Sequence, residues 1–175
     1  MHSSFRQSLT ETDFIFSTCL IPAGLILLLF HYSIHDFNFT GLLEISIWYQ
    51  ITAILLIIHT AWQIYCLIPK ERKSLRVMIL LFLITAVIAI LIPYEEGSLT
   101  ATLHLLFSYL AFFFFNAAYL PLHLKYSVLY EMTLILCALL CFSAGKITGL
   151  SELIFACMVS ILIAIQLKHK KSCRQ

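Results

Sequence analysis

Charge is what this sequence has least of. Only 11% of its 175 residues are Asp, Glu, Lys or Arg, while 61% are hydrophobic; an average soluble domain is about 25% charged. A chain of this length has too little polar surface to cover so much apolar matter in water, so a soluble globular class is excluded. With hydrocarbon as solvent the difficulty disappears. The 11 basic and nine acidic residues leave a net charge of +2, which provides no global field for nucleic acid. No connection between apolar stretches is long enough to hold a soluble domain.

Other signals are missing too. There is no convincing internal repeat, no low-complexity tract, and no HExxH or CxxC pattern, and no metal or cofactor is expected. Cys19, Cys66, Cys137, Cys141 and Cys157 fall inside apolar runs and Cys173 in the C-terminal tail. None lies in an outward connection, where an oxidising compartment would favour a disulfide. Cys137 and Cys141 stand one helical turn apart and read as small hydrophobes.

What is present is a series of apolar runs. Crossing a bilayer takes about 20 residues, and six runs qualify: about 14–32, 46–67, 76–93, 99–120, 127–144 and 149–167. Each must satisfy its own backbone in hydrocarbon and is therefore a helix. The expected fold class is all-α: a polytopic membrane protein, one domain over residues 1–175, built as a bundle of six transmembrane helices. The first run, from Phe14, exceeds a signal-peptide core and no small-x-small site follows it, so it reads as a retained helix. The short link "SAGKITG" divides the fifth run from the sixth.

Charge asymmetry orients the bundle, because Lys and Arg are retained on the cytoplasmic side. Arg6, the group Lys70, Arg72, Lys73 and Arg76, then Lys125, Lys168, Lys170, Lys171 and Arg174 make ten of 11 basic residues on alternate connections; Lys146 alone lies on the other side. Both termini are expected in the cytoplasm, with the chain multi-pass in a bacterial plasma membrane. Pro22 and Gly24 predict a kink in the first helix. Pro69, Pro93 and Pro121 close the second, third and fourth. Trp48, Tyr49, Tyr94, Tyr119, Tyr126 and Tyr130 lie near helix ends and fit an interfacial aromatic belt.

Polar side chains within the runs demand explanation, since an ionisable group at mid-helix costs about 2.5–3.5 kcal/mol. His59 and Gln63 share a face of the second run. Glu131 lies about one turn inside the cytoplasmic end of the fifth, and Glu152 opens the sixth. In the fourth, Gly97, Ala101, His104, Ser108 and Ala111 form a small, polar stripe that should face a neighbouring helix. It acts either as helix–helix contact or as the lining of an outward cavity. That cavity would gather His31, His35, Asp36, Glu44, Glu95, Glu96, His104 and Glu152. Glu95 and Glu96 also precede the fourth helix, where its dipole favours negative charge. The basic clusters attract anionic headgroups in principle, although orientation already accounts for them.

The segment "LIPYEEGSLTATLHLLFSYLAFFFFNAAYL" resembles a pattern in six-span bacterial proteins of the DUF998 type, related to the eukaryotic Frag1/DRAM/Sfk1 group. The resemblance falls on Pro93, His104, Ala111 and Phe112, with Ile92 where that family favours Phe. It implies six membrane helices without known chemistry, among relatives some of which act in lipid remodelling or in lysosomal and autophagy-related membranes. Enzyme patterns fit less well. Paired glutamates of a CAAX-type intramembrane protease require an arginine where Thr100 stands, and ceramidase-like hydrolases require more membrane histidines than His59 and His104. The function expected is therefore a lipid- or partner-binding bundle without a catalytic motif. The alternative is a small transporter or lipid-processing protein with an outward vestibule around Glu95, Glu96 and His104. Membrane lipids are the expected partners, and another membrane protein is the second candidate.

Overall fold

The computed structural model describes residues 46–122 and 126–172, together with Gly24, and the side chains of the second stretch through residue 169. The expected first span, 14–32, lies outside the described residues, as do His31, His35, Asp36 and Glu44. Every regular element described is helical. Helix α1 is Ile47–Leu67, α2 is Lys73–Leu91 and α3 is Leu99–Tyr119, closed by a 3₁₀ turn at Leu120–Leu122; α4 is Ser127–Ala144 and α5 is Gly149–Ser172. All five are long and apolar enough to cross a membrane. They fall into two compact units, the first holding α1 to α3 and the second α4 and α5.

Helix ends follow local chemistry. Ser46 and Ser98 cap α1 and α3, accepting from the N–H groups of Trp48 (3.3 Å) and Ala101 (3.0 Å). Ile68 and Ile92 turn to extended backbone just after α1 and α2, as a residue before proline prefers. Gly145 ends α4 at φ 66°, a left-handed conformation that a side chain disfavours. That glycine separates α4 from α5 as two distinct helices. The boundaries depart from the hydropathy reading in two places: α2 starts at Lys73 and α5 continues to Ser172. Lys and Arg end an apolar run but are good helix formers, so the helix continues through them.

Within the first unit, α2 and α3 pack antiparallel. Their contacts run the length of the hairpin: His104 against Ile92, Phe82 edge-on to Phe115 at 5.3 Å, and Arg72 against Pro121. Ala86 and Ala89 on α2, and Ala101, Ala111 and Ala118 on α3, are buried; small residues let two backbones approach closely in a membrane. The outward faces are oily instead, with Trp48, Leu99 and Phe113 each at least 60% exposed. A soluble protein seldom presents such a surface. In the second unit α4 and α5 form a hairpin through Tyr130 and Phe155, whose rings lie 6.2 Å apart.

Two residues expected in the interfacial belt lie inside. Tyr119 is 3% exposed and stacks on Phe115, and Tyr130 is fully buried. The reason is helical register: Tyr119 continues the buried face of Ala101, Ala111, Phe115 and Ala118, and proximity to a helix end does not determine which way a side chain faces.

Candidate functional site

The turn between α2 and α3 carries two of the expected site residues, Glu95 and Glu96, and a third, His104, follows on α3. Pro93 has no N–H and ends α2, which leaves the last carbonyls of the helix without intrahelical partners. Gly97 adopts φ 79°, and the Ser98 N–H bonds to the Glu95 carbonyl at 3.0 Å, closing a tight turn with Gly at its third position. Glu95 and Glu96 stand exposed on this turn. Their sequence position therefore follows from turn geometry and from the α3 N-terminus just beyond.

His104 points the other way. It is 5% exposed, and its Nδ1 lies 2.9 Å from the Ile92 carbonyl. A carbonyl only accepts, so Nδ1 carries the proton and donates. The imidazole thereby caps the C-terminus of α2 from the neighbouring helix, with the Tyr94 ring edge-on at 5.7 Å. The small stripe of α3 is thus a helix contact: Ala101, His104 and Ala111 are buried and Ser108 is half-buried. His104 joins Ile92 and Tyr94, while the two glutamates project from the turn.

The other candidates lie apart. On α1, Gln63 is buried and His59 half-buried, one turn from each other, and both are engaged in contacts. At 1.5 Å of rise per residue His59 lies about 18 Å from the start of α1, and His104 about 8 Å from the start of α3. Glu131 is exposed near the start of α4, in the second unit. Among the described residues no three His, Cys, Asp or Glu side chains form a group able to hold a metal.

Two polar clusters escaped sequence reasoning. At the opposite end of the first unit, Arg76 Nη2 donates to the Ile68 carbonyl (3.2 Å) and Nη1 to the Tyr65 hydroxyl (3.3 Å), with the guanidinium 4.6 Å above the Tyr65 ring. Arg72 Nη1 donates to the Pro121 carbonyl at 2.7 Å. Two residues read only as orientation signals thus close the C-terminal ends of α1 and α3, where a cation is favoured. A tyrosine in the last turn of a proline-closed helix and an arginine soon after that proline were the available signal. In the second unit Ser151 is the hub. Its hydroxyl donates to the Thr148 carbonyl (2.7 Å) and accepts from Cys141 Sγ (3.2 Å) and Thr148 Oγ1 (3.3 Å), while Cys137 Sγ donates to the Ser151 carbonyl (3.3 Å). One donated and two accepted bonds fill that hydroxyl's capacity, so the thiols serve as weak interhelical contacts.

Comparison with protein-family models, curated proteins and solved structures finds no match for this chain.

Proposed function

We propose that this chain is a six-span protein of a bacterial plasma membrane, with both termini cytoplasmic, that works by binding membrane lipid or another membrane protein rather than by catalysis. The six-span count takes the apolar run 14–32 of the sequence as a further span, and the orientation rests on ten of the 11 basic residues lying on alternate connections. The observation that carries the binding reading is the state of His104. A catalytic or proton-relaying imidazole needs access to substrate or water; this one is buried, with Nδ1 committed to the Ile92 carbonyl. Glu95 and Glu96 do not accompany it inward.

The test is accessibility along the α3 stripe. Ser108→Cys, half-buried one turn below His104, is treated in proteoliposomes with a membrane-impermeant maleimide and read by mass spectrometry at that peptide. Glu96→Cys is the positive control. The binding reading expects Glu96→Cys to label and Ser108→Cys to stay unmodified. Comparable labelling at both positions would establish a water-filled vestibule and favour the transporter alternative.

A further inference from the structure

Lys70, Arg72, Lys73 and Arg76 gather where α1 ends and α2 begins. The fold uses part of this charge: Arg76 brackets Ile68 and Tyr65, and Arg72 holds Pro121 through one Nη. Lys70 and Lys73 are exposed, and neither side chain bonds to anything among the described residues. Glu71, the carboxylate of this turn, forms no ion pair with them among the described residues. Four cations against one carboxylate leave an excess of three positive charges. The first turn of α2 contains no acidic residue and no side chain caps it, so free N–H groups and the positive end of the helix dipole face the same place.

A second feature is continuous with this rim. Lys73, Val77, Leu80 and Ile84 follow one another at spacings of four, three and four along α2, which is a single helical ridge. Val77 and Leu80 are each 51% exposed and Ile84 53%. The ridge therefore runs from a cationic head into an outward-facing apolar track. The exposed ridge of α3, through Leu99, Leu106 and Phe113, instead starts beside Glu95 and Glu96 and repels the same headgroup.

We propose that this ridge of α2 is a seat for an anionic phospholipid, with its phosphate against Lys70, Arg72 and Lys73 and an acyl chain along Val77, Leu80 and Ile84. The rim supplies the charge that attracts an anionic lipid to a basic juxtamembrane segment. The ridge supplies what a soluble phosphate has no use for. The assignment rests on the lipid-binding reading above and deepens it by naming the headgroup class and its place.

Native mass spectrometry of the full chain in neutral detergent tests it, with phosphatidylglycerol, phosphatidylcholine of the same acyl chains, and glycerol phosphate as the soluble headgroup. Phosphatidylglycerol should be retained in preference to both other probes. K70Q/R72Q/K73Q should weaken that binding on the order of a hundredfold, as expected for losing three interfacial cations. K146Q, which alters the exposed turn after α4, should change nothing. Should the triple variant fail to fold, K70Q/K73Q removes two side chains that the fold does not use and should still weaken binding at least tenfold. Equal retention of phosphatidylcholine, equally tight glycerol phosphate, or unchanged binding in the folded variants would each overturn the seat. Retention of phosphatidylcholine alone would do so while leaving the lipid-binding reading intact; no retained lipid of any kind would remove both.

Discussion

Replacing His104 by leucine isolates one hydrogen bond in a position of nearly constant volume. The bond to the Ile92 carbonyl, at 2.9 Å, is worth about 1 kcal/mol net, but its loss also leaves a part-buried acceptor unsatisfied, which costs toward the lower end of about 1–3 kcal/mol. The edge-on contact with Tyr94 at 5.7 Å adds about 0.5–1.5 kcal/mol. These contributions overlap, so His104→Leu should destabilise the protein by about 2–3 kcal/mol. His104→Ala should cost about 1 kcal/mol more, through the space it opens. The assay is reversible unfolding of the purified protein from neutral detergent into SDS micelles, followed by circular dichroism and analysed for each variant. E95Q/E96Q is the comparison, because both glutamates are exposed and such substitutions usually fall within about 0.5 kcal/mol of the parent. If His104→Leu matches the parent, or the glutamine pair costs as much as the leucine, the account of His104 as the cap of α2 is wrong.

The remaining predictions concern the helix ends and the topology. Gly145→Ala should cost about 1–2 kcal/mol, because φ is 66° and no atom lies near an added Cβ, so the penalty is that of the left-handed backbone itself; Gly145→Asn should be milder in the same unfolding assay. Arg76→Lys should cost about 1–2 kcal/mol although the charge is kept, because a lysine cannot hold the Ile68 carbonyl, the Tyr65 hydroxyl and the Tyr65 ring face together. Lys70→Gln, at a fully outward position, should leave stability unchanged. Reporters fused at Met1 and at Gln175 should both be active on the cytoplasmic side, and a reporter placed in the Glu95–Ser98 turn on the opposite side; activity of the terminal reporters on different sides would refute an even number of spans.

Much of the fold was legible because a bilayer imposes few solutions. The positions of α1, α3 and α4 follow the apolar runs closely, and Pro69, Pro93 and Pro121 mark helix ends. The departures share one cause. Hydropathy stops at a charged residue, whereas the helix does not, so Lys73 to Arg76 and the basic end of α5 are helical. The small stripe of α3 was legible as a packing face by its three-four spacing. What that face meets was not legible, and Tyr119 and Tyr130 were placed in the interfacial belt for the same reason.

Sequence by itself determined that this chain is a set of membrane-length helices, because a backbone in hydrocarbon must bond within its own segment and the length of an apolar run sets the span. Tertiary structure decided what each polar group does: that His104 serves the Ile92 carbonyl, that Arg72 and Arg76 close helix ends, and that Lys70 and Lys73 remain outward. The His104 and Arg72 pairings depend on the antiparallel register of α2 against α3, and the Arg76 pairing on that of α1 against α2; each register is set by the shapes of two helix surfaces together, and no property of one helix alone encodes it.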